Sequence, residues 1–299
     1  MSRVAIGIAA IAALIGGPAL AATPEPPPAP RPAPVYTWTG FYIGGNLGYG
    51  WGNGRTDVAG NGSVTANIGG FSYPSSFAFA DSNTAWLNGA IGGGQFGFNY
   101  QSSPKWVLGL EADIQSAGKN GTGVFADTFA TPVCISGTSG GTCVLTGMVT
   151  GTAVTDYQAK IDWFGTVRGR LGFLPSSQSL IYVTGGLAYG HVAVSGIANV
   201  TAMILGPRPG TAAFDASKTN IGFSVGGGIE GKFRYWLPVN WTWKLEYLYL
   251  DLGSLDAGTP FATTALIRGS ISPAAGTITT HTHFTDNIVR VGLNYKFDN

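Results

Sequence analysis

The sequence predicts an all-β chain: an eight-stranded antiparallel up-and-down transmembrane β-barrel with four long extracellular loops and three short periplasmic turns. Three observations predict it. Apolar and polar residues alternate with period two over eight segments, which gives strands one greasy and one polar face. The connections between those segments alternate long and short. Only 10% of the 299 residues are charged, against about 25% in an ordinary soluble domain.

Before the first strand come two other segments. Arg3 supplies a positive start, Val4–Ile15 a short apolar run and Ala19-Leu20-Ala21 a small-x-small cleavage site. Residues 1–21 therefore read as a signal peptide that is cleaved. The apolar run is shorter than the roughly 20 residues a spanning helix needs. Residues 22–37 carry seven prolines and read as an extended, Pro-rich periplasmic leader. The barrel is expected over 38–299.

The eight strands are expected near 40–52, 84–101, 105–117, 157–173, 179–194, 219–234, 241–253 and 285–297. The second and third are joined by Ser102-Ser103-Pro104, the fourth and fifth by 174–178, the sixth and seventh by 235–240. Each of these turns holds a proline that stops pairing. The other connections, 53–83, 118–156, 195–218 and 254–284, are long and rich in Gly, Ser, Thr and Ala. In an up-and-down meander all four long connections fall on one end and both termini on the other. That is how outer-membrane barrels sort their loops, and a soluble sandwich has no reason to do so.

Alternation assigns the faces. In the closing strand Val289, Val291, Leu293, Tyr295 and Phe297 oppose Arg290, Gly292, Asn294 and Lys296. In the fourth, Ile161, Trp163, Val167, Leu171 and Phe173 oppose Lys160, Asp162, Thr166, Arg168 and Arg170. In the third, Trp106, Leu108 and Leu110 oppose Glu111 and Asp113. In the sixth, Ile221, Phe223 and Val225 oppose Ser224 and Glu230. In the seventh, Trp241, Trp243, Leu245 and Tyr247 oppose Lys244 and Glu246. The first set of each strand is assigned to lipid and the second to the lumen. Phe41, Tyr42, Trp51, Trp106, Trp241, Trp243, Tyr295 and Phe297 are read as membrane-interface aromatics, since such rings favour the membrane–water boundary.

The inward set defines a candidate site. Glu111, Asp113, Asp162, Arg168, Arg170, Glu230, Lys244, Glu246 and Arg290 would converge in a barrel just wide enough for side chains to fill. Unpaired buried charge is costly, so these groups are expected to pair into a salt-bridged plug. Inward glycines such as Gly44, Gly48 and Gly228 would leave room for long Arg and Lys chains.

Other signals are weaker. Cys134 and Cys143 lie in the second long connection, and export through an oxidising compartment favours a disulfide between them. GGGQFG (92–97) and GGGIEG (226–231) lack a strand–turn–helix context and read as strand glycines. His281 and His283 share a face near a strand start. They read as exposed histidines, with a surface metal site as the alternative. His191 is the one candidate base for a lipid-modifying enzyme, and no motif around it supports catalysis. No catalytic, cofactor or metal residue is assigned. A formal net charge of +1 gives no basic field for nucleic acid.

The stretches YTWTGFYIGGNLGYGWG (36–52), GGGQFGFNYQ (92–101), WFGTVRGRLGF (163–173), YVTGGLAYG (182–190), WKLEYLYLDLG (243–253) and NIVRVGLNYKF (287–297) occur in this order. Together they resemble the small outer-membrane β-barrel family of alphaproteobacteria, which includes the Brucella surface antigens and the rhizobial RopB proteins. The resemblance covers about 40–297. It implies an eight-stranded barrel in the outer membrane, a "porin family" label, insertion by the barrel-assembly machinery, and no catalytic residue. Members commonly end on an aromatic; here Asp298 and Asn299 follow Phe297.

The expected function is that of an integral outer-membrane barrel with a structural and surface-display role and a charge-filled lumen. A small porin passing hydrophilic solutes is the alternative, and an outer-membrane lipid-modifying enzyme a minor one. Expected partners are membrane lipid, lipopolysaccharide and, through apolar faces, a second copy. Loops are expected outside the cell and both termini in the periplasm.

Overall fold

The computed structural model describes residues 37–203, 207–233, 240–267 and 270–297. The signal peptide, nearly all of the leader and the final Asp298-Asn299 lie outside the described residues. Eight strands follow in order: β1 (Gly40–Ile68), β2 (Phe71–Gln101), β3 (Trp106–Gly137), β4 (Cys143–Ser176), β5 (Ser179–Met203), β6 (Pro207–Lys232), β7 (Trp241–Ile267) and β8 (Ser270–Lys296). All neighbours are antiparallel, and β8 returns to pair with β1, closing a barrel.

The short connections lie where the sequence puts them. The long ones are different. The strands run from 25 to 34 residues, so 53–83, 118–156 and the described parts of 195–218 and 254–284 continue the strands rather than forming loops. The β1–β2 hairpin shows how. Ile68 pairs with Phe71, and the two residues between them, Gly69 and Gly70, have φ of 59° and 85°. A two-residue hairpin turn of this kind needs positive φ at both positions, which glycine adopts at no steric cost.

The ladder is not uniform along the barrel. At the turn end all eight pairings are present. Among the described residues, β2 and β3 stop pairing beyond Asn88–Asn120, and β6 and β7 beyond Phe223–Asp251. The tip end therefore separates into two four-stranded sheets, β7-β8-β1-β2 and β3-β4-β5-β6. Side chains bridge the two seams. Asn83 Nδ2 donates to the Val124 carbonyl at 2.6 Å, Thr131 Oγ1 to the Ser76 carbonyl at 2.7 Å, and Asn220 Nδ2 to the Ser254 carbonyl at 2.9 Å.

An apolar core lies between the two sheets. Val58, Phe77 and Phe79 meet Phe125, Phe129, Val194 and Phe214 from the opposite sheet. The rings of Phe77 and Phe129 stack at 4.7 Å. A recurrent pairing fills this core: inward aromatics lie over a glycine on the adjacent strand. Phe77 faces Gly62 and Phe79 faces Gly60. Tyr157 faces Gly123 and Phe129 faces Gly151. Phe214 faces Gly196, and Phe261 faces Gly276. A Cβ at Gly62 would lie 2.6 Å from Phe77 Cζ, closer than packed carbons allow. A second cluster, with Val64, Val133, Val149 and Ile267, closes the core near the tips.

The outer wall at the turn end is apolar. Ile43, Leu47, Leu110, Leu187, Val225 and Val291 are exposed there. Phe41, Trp106, Trp243 and Phe297 are exposed along one edge of this band, and Trp51 and Trp86 along the other. Tyr42 departs from the expectation. It is buried in the lumen, because consecutive strand residues point to opposite faces and Phe41 takes the outward one.

Candidate functional site

The lumen at the turn end is where the inward charges converge. β3 delivers Glu111 and Asp113, β4 Arg168 and Arg170, β6 Glu230, β7 Lys244 and Glu246, and β8 Arg290, all buried. Each stands at an inward position of its strand, so the two-residue period alone aims them at one axis.

Arg168 is the hub. Its Nη2 contacts Glu111 Oε1 at 2.6 Å and Asp113 Oδ2 at 2.9 Å, and its Nη1 reaches Glu246 Oε1 at 3.1 Å. Its Nε donates to Thr166 Oγ1 at 2.8 Å, and Thr166 donates in turn to Asp113. Arg290 closes the ring from the other side. Its Nε donates to Glu246 Oε2 at 2.6 Å and its Nη2 to Asp113 Oδ2 at 2.8 Å. Lys244 Nζ sits 2.9 Å from Glu111 Oε1. Arg170 pairs with Glu230 at 2.8 Å and lies 3.9 Å over the Tyr182 ring. Four cations meet four carboxylates, so the cluster is formally neutral.

Uncharged donors extend it and satisfy much of it, while Asp113 Oδ1, Arg170 Nε and Arg290 Nη1 are buried with no hydrogen-bond partner. Tyr42 Oη donates to Glu111 Oε2 at 2.7 Å and Tyr182 Oη to Glu246 Oε1 at 2.9 Å. Thr242 and Asn294 donate to Glu230, and Gln95 and Asn46 extend the chain across β2 and β1. These groups matter because a buried ion pair repays its desolvation only when its remaining lone pairs and protons are satisfied. Glycines admit the long chains. A Cβ at Gly48 would lie 2.7 Å from Arg290 Cβ, and one at Gly228 would lie 2.7 Å from Tyr182 Oη.

Asp162 does not join this cluster. Ile161 and Lys160 are likewise reversed: Ile161 is buried inside, while Lys160 and Asp162 take the outer wall. The cause is a bulge. The β4–β5 register shifts between Ile161 and Trp163, and one extra residue flips the parity of everything before it. A second buried pair escaped the sequence reading. Lys119 and Asp286 meet in the lumen on the tip side of the main cluster, where Leu87, Leu250 and Phe284 are also fully buried. From there the apolar core continues toward the tips.

The remaining candidates lie elsewhere. Cys134 and Cys143 form a disulfide across the β3–β4 tip, with Cα atoms 5.8 Å apart. His281 Nδ1 faces Asp256 at 2.6 Å, while His283 faces Asp251 at 3.3 Å and the Ser254 hydroxyl at 3.0 Å. The two histidines are thus engaged with different carboxylates. His191 lies 3.8 Å from Asp162 and stacks on Trp163. Among the described residues, no Ser or Thr hydroxyl is hydrogen-bonded to it, so the nucleophile that a base would activate is missing from its contacts.

Comparison with known proteins places this architecture. Residues 8–297 match the family described as "Outer membrane protein beta-barrel domain". The 31 kDa outer-membrane immunogenic protein of Brucella melitensis is 34% identical over 295 residues, covering 97% of this chain and 98% of that one. The 22 kDa outer membrane protein of Rhizobium leguminosarum bv. viciae is 28% identical over 261 residues, 87% of this chain and 79% of that one. Among solved structures, Ail, the attachment invasion locus protein of Yersinia pestis, aligns over 85% of this chain and 99% of its own, at 11% identity and a TM-score of 0.32. The chain belongs to the outer membrane protein β-barrel family.

Proposed function

We propose that this outer-membrane protein is a closed anchor that carries a folded β head on the cell surface, and that it is not a channel. The observation that supports this most directly is the continuous filling of its interior. A neutral, hydrogen-bonded ion cluster occupies the turn end, the Lys119–Asp286 pair follows it, and an apolar core continues toward the tips. An ion crossing this path would have to part paired buried charges and then leave water entirely.

The proposed orientation puts the turn end in the periplasm and the tips outside. About 9–11 residues carry a tilted strand across the hydrocarbon. The apolar band on the outer wall uses about that many, between Phe41 and Trp51 on β1. The remaining residues of β1, at about 3.3 Å each and a tilt near 40°, lift the tips roughly 40 Å beyond the membrane. Relatives named as immunogenic outer-membrane proteins agree with a role in surface display. The purified, refolded chain in a planar bilayer tests the reading. The expected record shows no steady openings from protein whose compact gel band shifts on boiling. Steady openings altered by Arg168→Ala or Arg290→Ala would instead support the small-porin reading.

A further inference from the structure

We propose that Ser254, His283 and Asp251 are a nucleophile, its base and the group that orients the base, and that this set hydrolyses acyl esters at the outer wall of the barrel. The proposal goes beyond the anchor reading and stands whether or not the barrel conducts.

A chain of contacts and a bulge carry it. Ser254 Oγ lies 3.0 Å from His283 Nδ1. His283 Nε2 lies 3.3 Å from Asp251 Oδ2. The other oxygen of that carboxylate, Oδ1, accepts from the Gly253 amide at 2.8 Å, which fixes its aim. An ionised carboxylate only accepts, so it holds the proton of the neutral imidazole on Nε2 and leaves Nδ1 to take the Ser254 proton. Such a nucleophile–base–orienter chain is what activates a serine. Plain alternation would put Asp251 and Ser254 on opposite faces of β7. The register of β7 on β8 shifts between Asp251 and Gly253, and Ser254 then stands opposite His283. Gly253 takes up the shift at φ 71°. The bulge thus brings Asp251 and Ser254 to the same outer face, and bulges recur beside active sites because they re-aim side chains in this way. Asn220 crosses the seam from β6 and donates to the Ser254 carbonyl at 2.9 Å.

Location argues for the substrate. The His283 side chain is 43% exposed, so the set is open to water. Asn287 pairs with Trp51 at the edge of the apolar band, and His283 stands two outward positions further along β8. At about 3.3 Å per residue and a tilt near 40°, that is roughly 10 Å past the band, at the level of lipid head groups. Apolar side chains lead up to it from the membrane side. The Phe223 and Tyr249 rings lie 6.1 Å apart, and Ile221 beside them is exposed. An acyl chain lying on these groups would present its ester carbonyl to Ser254. Oγ attacks that carbon as its proton passes to His283 Nδ1. The C–O bond to the alcohol then breaks, and the alcohol leaves with the proton from Nδ1. Water, deprotonated by the same nitrogen, adds to the acyl-serine; the carboxylic acid leaves and Oγ regains a proton.

The test uses the full mature chain refolded in detergent, with para-nitrophenyl butyrate and dodecanoate as substrates. A fluorophosphonate that bonds covalently to activated serines is the second probe. The expected result is turnover of the esters and a phosphonyl group on Ser254, located by peptide mass. Ser254→Ala and His283→Ala are each expected to lower turnover by about 10²–10⁴-fold, while the gel shift on boiling stays normal. Asp251 is a positioning residue. Asp251→Asn is expected to lower kcat at unchanged KM, a split that a merely structural loss would not give. Folded protein that neither turns over ester nor takes the label would overturn the proposal, as would turnover that Ser254→Ala leaves intact. Phosphatidylcholine vesicles carrying the protein identify the source of the ester. Released fatty acid makes it a membrane lipid, and turnover of the para-nitrophenyl esters alone makes it a soluble molecule; either result sustains the site.

Discussion

Glu111 accepts bonds from Lys244, Arg168 and the Tyr42 hydroxyl. Glu111→Gln would leave four buried cations facing three carboxylates. Removing one member of a buried pair typically costs about 3–5 kcal/mol. A loss of that size is expected in the urea midpoint followed by the boiling-sensitive gel shift, and an unchanged midpoint would show that the cluster is hydrated and loose. The isolated pair behaves differently. Asp286→Leu alone strands Lys119 and is expected to destabilise. Lys119→Met with Asp286→Leu replaces the pair by apolar groups among apolar neighbours, and is expected to be neutral or stabilising by about 1–4 kcal/mol. At this scale most inward charges are legible, because alternation places them. Asp286 shares the parity of Arg290 and could have been read. Lys119 could not: the β3–β4 register shifts between Ser116 and Lys119, around Gly118 at φ 40°. Asp162 is misplaced by a bulge of the same kind.

Hairpins are held by pairings that sequence inspection does not show. Phe77 over Gly62 joins residues 15 apart only because the β1–β2 register sets them opposite. Gly62→Val would drive a side chain into that ring, and overpacking of this type costs about 1–3 kcal/mol. Phe129→Ala removes the ring stacked on Phe77 and leaves a cavity, at about 3–5 kcal/mol. Both variants are expected to open the head to limited proteolysis while the boiling-sensitive barrel band persists. If the barrel band is lost together with the head, the two ends fold as one unit. Reducing Cys134–Cys143 should act on the tip alone. A short loop closed by a disulfide gains about 2–3 kcal/mol in the chain-entropy model, so faster cleavage within 128–150 is expected and no change in the gel shift. The extended hairpins were illegible for a physical reason. Their strands alternate Gly, Ala, Ser and Thr with one another, so the polarity contrast that marks a half-buried strand is faint. The apolar face is completed by aromatics lying over glycines across the strand pair, a contact that is not local in sequence.

Over the whole molecule the interior changes character along one axis: a neutral ion cluster, then an isolated ion pair, then an apolar core between two sheets. The outer wall changes in the opposite sense, from an apolar band through a zone with Asp57, Asp81, Asp156, Asp215 and Lys218 to tip segments that hold no acidic residue. The membrane part of this plan was open to sequence reasoning, since length, turn spacing and alternation all point to a closed eight-stranded barrel. The part that the proposed orientation puts beyond the membrane was not, and it decides between displayed loops and a folded head. Hydrogen–deuterium exchange on the refolded chain in lipid tests this most directly. Continuous paired strands predict that amides in 58–66, 122–133, 149–157 and 274–282 exchange slowly, over minutes to hours, as ladder-bonded barrel amides do. Exchange of those four segments within seconds, beside a protected membrane band, would contradict the account and return them to the status of loops.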